Sequence, residues 1–113
     1  MRGIVTRPSL AALACALVFA LGSGASIGAA AATTHTVVID GVKYDPEALT
    51  VNRGDTVVWV NKDPFPHTVT SKGAFDSHSI AAGRSWKYSA SKAGEFTYIC
   101  TFHPNMKGTL TVK

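Results

Sequence analysis

The stretch Phe96-Thr97-Tyr98-Ile99-Cys100-Thr101-Phe102-His103-Pro104-Asn105-Met106 holds both the pattern that sets the fold and the side chains that carry chemistry. Its first half alternates, so that Phe96, Tyr98 and Cys100 fall on one face of an extended chain, the period-two signature of a strand. Its second half places a thiol, an imidazole and a thioether at Cys100, His103 and Met106. These three can close around one ion only if the chain turns tightly between two strands, and Pro104 and Gly108 permit such a turn. A second imidazole is available from His67, in Phe65-Pro66-His67-Thr68-Val69. Two His and one Cys in a plane, with a weak and long axial Met, is the donor set that suits copper moving between Cu(I) and Cu(II). The expected metal ligands are therefore His67, Cys100, His103 and Met106, around one copper ion.

The same period runs outward from this stretch. His35 to Asp40 is rich in β-branched residues and ends at the turn pair Asp40-Gly41. Ala48 to Asn52 alternates, with Leu49 and Val51 on one face, and Arg53-Gly54-Asp55 turns the chain into Thr56 to Asn61. That run carries Val57 and Trp59 on one face and Thr56, Val58 and Val60 on the other, which predicts a central strand buried on both sides. The two runs are expected to pair as a hairpin. Asn61 to Pro66 is loop, because its two prolines cannot donate to a ladder, and His67 opens a short strand to Ser71. Lys72 to Gly83 is polar and irregular, with Phe75 and Ile80 as anchors. Trp86 and Tyr88 point together in Ser85 to Ser89, and Leu110 and Val112 mark a final strand. About seven short strands with turns at near-regular spacing argue an all-β fold, an antiparallel β-sandwich.

The first 32 of the 113 residues do not belong to that fold. Arg2 and Arg7, the apolar run Leu10 to Leu21 and the small-residue segment Gly22 to Ala32 read as a secretory signal peptide, cut after Ala32 as the first choice and after Ala31 as the second, leaving one domain over residues 33–113. The apolar run is shorter than the ~20 residues a bilayer needs, so no stable membrane insertion is expected. Cys15 leaves with the leader; it lies inside the apolar run, not at its end as a lipidated cysteine would. Cys100 then remains alone in an oxidising export compartment, where no intramolecular disulfide can occupy it and ligation is its evident use. Without Arg2 and Arg7, nine Lys and Arg face seven Asp and Glu. That balance is too mild and too scattered for a nucleic-acid partner. A domain this small gains from a bound metal.

Other uses of these residues fit less well. Zinc sites prefer four Cys or His ligands, without Met. A Cys100/His103 nucleophile pair would need a group to orient the base and a substrate cleft, neither of which is evident, so an enzyme is not expected. His78 reads as a loop residue and His35 as a polar start to the first strand. After cleavage, however, Thr33-Thr34-His35 could also form a square-planar Cu(II) site from the free amine, two amides and the imidazole.

Cys100-Thr101-Phe102-His103-Pro104-Asn105-Met106 resembles the C-x-x-H-x-x-M loop of amicyanin-like cupredoxins, type 1 blue copper proteins of the plastocyanin/azurin superfamily. Gly54-Asp55-Thr56-Val57-Val58-Trp59, followed by Pro66-His67, is similar to the stretch leading to their first histidine ligand. The resemblance spans about Val37 to the C-terminus. It implies a Greek-key cupredoxin sandwich that binds one copper and carries single electrons between redox partner proteins in the periplasm, as a monomer. It makes His67, Cys100 and His103 the equatorial ligands and Met106 the axial one, with the Pro66 carbonyl on the opposite side and the Thr68 N–H aimed at the thiolate. Amicyanins have proline where this chain has Phe102, whose N–H is then expected at the sulfur, and their amino-terminal extension has no counterpart here. Their methylamine dehydrogenase partner is accordingly not implied. A copper-handling protein that passes its ion on is the alternative; the exposed Met or His clusters such proteins use are absent.

Overall fold

The computed structural model describes residues 31–113, so Cys15 and all of the expected signal peptide except Ala31 and Ala32 lie outside the described residues. In chain order the strands are β1 (Thr34–Ile39), β2 (Tyr44–Asp45), β3 (Ala48–Val51), β4 (Thr56–Asn61), β5 (Thr70–Ser71), β6 (Phe75–Asp76), β7 (Ser85–Ser89), β8 (Gly94–Cys100) and β9 (His103–Val112). No helix occurs among the described residues, so none crosses a membrane. One sheet runs β2-β1-β4-β7 and the other β3-β9-β8-β5-β6. This is the expected all-β sandwich, with three two-residue strands beyond the main six.

Alternation decides which side chains meet between the sheets. Val37 and Ile39 of β1, Val57 and Trp59 of β4, Tyr98 and Cys100 of β8, and Leu110 and Val112 of β9 are all buried. Trp59 sits at the centre, its ring 5.5 Å from those of Tyr98 and Trp86 and 6.2 Å from that of Phe75. Phe75 and Ile80 anchor the irregular segment as expected. Strand β4, expected to be covered on both sides, is buried only on the Val57, Trp59, Asn61 face; Thr56, Val58 and Val60 stay half-exposed. A two-layer sandwich covers each sheet on one side only.

The pairing departs from the expected antiparallel arrangement in two ladders, β1–β4 and β3–β9. Strands β3 and β4 do not form a hairpin, for β3 lies parallel to β9 and β4 parallel to β1. The physical reason is where the connecting turn sends its hydrogen bonds. The Asn52 N–H goes to the Asp55 carboxylate at 3.0 Å, the Arg53 N–H to the Lys113 carbonyl at 2.9 Å and the Gly54 N–H to the Ala90 carbonyl at 2.8 Å. The first closes the turn on itself, the other two tie it to the ends of both sheets, and the chain crosses from one layer to the other. The remaining pairs, β1–β2, β4–β7, β5–β6, β5–β8 and β8–β9, are antiparallel.

Gly108 has a use other than the turn expected of it. It is paired within β9 directly opposite Tyr98, and a Cβ there would stand 2.7 Å from the tyrosine Cε2. The missing side chain is the space into which the Tyr98 ring folds.

Candidate metal centre

Strands β8 and β9 bring two of the expected ligands together by their register. Ile99 pairs with Lys107, but the next residue, Cys100, pairs with His103. Strand β9 therefore spends Pro104-Asn105-Met106 in an excursion between two paired positions, and His103 sits directly across from Cys100. Met106 turns inward within that excursion and is 4 % exposed, lining a cavity with Val42, Phe102, His103, Pro104 and Asn105. The thiol of Cys100 is fully buried, and the Nδ1 atom of His103 lies 3.8 Å from its sulfur.

His67 arrives from the other side. The strand expected from His67 to Ser71 is only an isolated bridge to Ile80, with N–H···O distances of 3.1 and 2.7 Å, followed by β5. That bridge presents the His67 Nδ1 atom at 3.5 Å from the Cys100 sulfur. The three donor atoms of His67, Cys100 and His103 lie within 4.8 Å of one another. The Thr68 N–H donates to the same sulfur at 3.3 Å, and the Thr68 hydroxyl accepts from the Thr101 N–H at 2.9 Å, so the two segments are clamped together beside the thiol.

Two residues that sequence reasoning passed over hold His67 in place. Asn61, fully buried, donates from its amide to the carbonyls of Phe65 at 2.9 Å and Ile80 at 3.0 Å, and accepts from the Asp63 N–H at 3.0 Å. Asp63 accepts from the Nε2 of His67 at 2.7 Å, which leaves Nδ1 of that ring as the acceptor facing the sulfur. Its carboxylate is in turn cradled by the N–H groups of Gly41 at 2.7 Å and Val42 at 2.9 Å. Burial opposes ionisation of Asp63, but those N–H groups and the His67 ring outweigh it and hold the carboxyl below its usual range. Val42 has φ 59°, a conformation that costs a β-branched residue energy. The hydrogen bond from its N–H to Asp63 helps hold Val42 in that conformation. The inward phase of β4 was the available signal, since it puts Asn61 on the core face, where a polar side chain needs partners.

A profile described as a cupredoxin-like domain matches residues 10–112. The chain belongs to the cupredoxin-like family. It is 30 % identical over 125 residues to the amicyanin of Paracoccus versutus, covering 95 % of each chain. It is 39 % identical over 92 residues to the plastocyanin of Synechococcus sp. (strain JA-2-3B'a(2-13)), covering 66 % of this chain and 68 % of that one. Among solved structures it superposes with TM-score 0.68 and 29 % identity on the oxidised form of an amicyanin with a proline-to-alanine substitution, over 71 % of this chain and 82 % of that one.

The donor set of this cupredoxin fits its family's metal. Two imidazole nitrogens and one thiol sulfur converge within 4.8 Å, buried on the His67 and Cys100 side and half-exposed at His103. Copper is the cofactor that combination of soft and borderline donors suits. Among the described residues the backbone donor at the sulfur is Thr68; no hydrogen bond joins the Phe102 N–H to it, and the Phe102 side chain is instead 53 % exposed. His35 is in β1, its Nε2 3.0 Å from Asp55, with Thr34 and His35 paired to Thr56 and Val57. A square-planar Cu(II) site at Thr33-Thr34-His35 would have to break that pairing. His78 lies exposed in its loop beside Asp76.

Proposed function

We propose that this cupredoxin is an exported, periplasmic carrier of single electrons, with His67, Cys100 and His103 as equatorial copper ligands and Met106 as the axial one. The observation that carries the reading is the convergence of both Nδ1 atoms on one buried sulfur, at 3.5 and 3.8 Å, from two segments clamped by Thr68 and Thr101. Copper, when bound, supplies a one-electron couple between Cu(I) and Cu(II). The chain's own residues do the rest. Asp63 fixes the tautomer and plane of His67, and the Thr68 N–H draws charge from the thiolate. Asn61 and the β8–β9 register hold the ligands in place beforehand, so little needs to move on electron transfer.

His103 is the residue through which electrons would pass. Its half-exposed ring sits in an apolar surface made by Phe65, Pro66 and Phe102, with Phe65 39 % and Phe102 53 % exposed. The Phe65 ring lies 5.8 Å from that of His103. A small uncharged patch of this kind suits brief contact with redox partner proteins. Full burial of His67 and Cys100 favours a carrier over a protein that hands its ion on, because release would have to open the core. The test is the visible spectrum. Adding Cu(II) should give intense absorption toward the red from sulfur-to-copper charge transfer, and Cys100→Ser should abolish it. Survival of the colour in that variant would remove the site assignment.

A further inference from the structure

Asp55 is a second buried carboxylate, remote in sequence from the metal ligands. Its residue is 5 % exposed, and its oxygens accept from the Thr33 N–H at 2.9 Å, the His35 Nε2 at 3.0 Å and the Asn52 N–H at 3.0 Å. Its backbone is tied as well, with the carbonyl accepting from the Ala90 N–H at 2.8 Å. These contacts, the Thr33 N–H first and the His35 ring next, lower the carboxyl to about 2. Thr33 is the last residue before β1, and its own carbonyl accepts from the Thr56 N–H at 3.0 Å. Its nitrogen is therefore held in register from both sides, whereas Ala31 and Ala32 before it are exposed and outside any strand.

We infer that Asp55 is the receptor for a new amino terminus, created at Thr33 when the chain is cut after Ala32. Hydrolysis adds water across the Ala32–Thr33 peptide bond, releasing a carboxylate on Ala32 and an amine on Thr33 that takes up a proton. The nitrogen that donated one amide N–H to Asp55 becomes an ammonium group with three donors and a full positive charge. An α-amine ordinarily titrates near ~7.7–8.0, so it is charged at neutral pH. Hydrogen bonds between two charged partners are shorter and stronger than those to a neutral amide. Removal of the leader thus fastens β1 to the turn that carries the chain from one sheet to the other. The register is selective. A cut one residue earlier puts the ammonium group on the exposed Ala32 and keeps the neutral Thr33 amide on Asp55. This inference rests on the leader reading and is independent of the copper site.

The experiment expresses the full chain, leader included, in an exporting bacterium and purifies the secreted product. Intact mass should correspond to a start at Thr33; a start elsewhere overturns the inference. The Thr33 amine, followed by NMR, should titrate about one pH unit or more above its ordinary range, as an opposite charge in contact dictates. An ordinary value overturns the inference without any variant needing to fold. A form with one alanine inserted between Ala32 and Thr33, and cut before the insertion, should melt at a lower temperature than the native product. In an Asp55→Asn background the same insertion should leave the melting temperature unchanged. An equal loss in both backgrounds would show that chain length, not the ion pair, is responsible.

Discussion

Replacing Gly108 by alanine should damage the fold and the metal centre together. The added Cβ would lie 2.7 Å from the Tyr98 Cε2 and closer still to its Cζ and hydroxyl, so the ring or the strand must shift. The ring has little freedom to do so. It is 1 % exposed and is held edge-on against Tyr44 at 4.7 Å and Trp59 at 5.5 Å, with Phe75 at 6.2 Å. Forcing extra volume into such a core costs about 1–3 kcal/mol. For a domain of this size that is a fall of roughly 4–24 °C in melting temperature. The disturbance has a route to the site, since the Tyr44 hydroxyl donates to the Thr68 carbonyl while the Thr68 N–H donates to the Cys100 sulfur. The assay is urea unfolding of the copper-free protein, with Gly108→Ala made in the native and Tyr98→Leu backgrounds, and the copper spectrum of each. The shorter leucine should cut the cost of the alanine by more than half. The reasoning fails if Gly108→Ala unfolds within ~0.3 kcal/mol of the native protein, or costs the same in both backgrounds.

Asp63→Asn keeps the size of the side chain but removes the charge behind His67, so copper affinity should fall ~10–100-fold. Competition titration measures this, and voltammetry should show a higher reduction potential, because the lost negative charge favoured Cu(II). Pro104→Glu should slow electron self-exchange, by placing charge beside the His103 patch, while leaving the visible spectrum nearly unchanged; equal rates would point to another port. The carboxyl of Asp55 is lowered to about 2 in the folded chain, by the Thr33 N–H first, against ~3.9 in an unfolded one. Its stabilisation is therefore complete above pH ~4 and lost as pH falls toward 2. Urea midpoints of the copper-free protein should drop across that window, and less steeply in Asp55→Asn.

What could be read without the tertiary structure was whatever depends on near neighbours in the chain. Alternation places Phe96, Tyr98 and Cys100 on one face and Val57 and Trp59 on another, since a strand turns each side chain to the opposite side of its neighbour. The three-residue steps from Cys100 to His103 and on to Met106 are local as well, and His67 stood out by its chemistry. The tertiary structure alone decided the partners. Whether Ala48–Val51 pairs with Thr56–Asn61 or with the last strand depends on where the N–H groups of Asn52, Arg53 and Gly54 find acceptors, and those lie at Asp55, Lys113 and Ala90. Asp63 lies only four residues before His67, but whether its carboxylate meets that ring depends on the path of the irregular, proline-containing loop between them; the Gly41-Val42 turn reaches Asp63 from 21 to 22 residues away, an approach set by the packing of the sheets. For the same reason Gly108 read as a turn residue, and only the ring of Tyr98 lying over it gives it a different purpose.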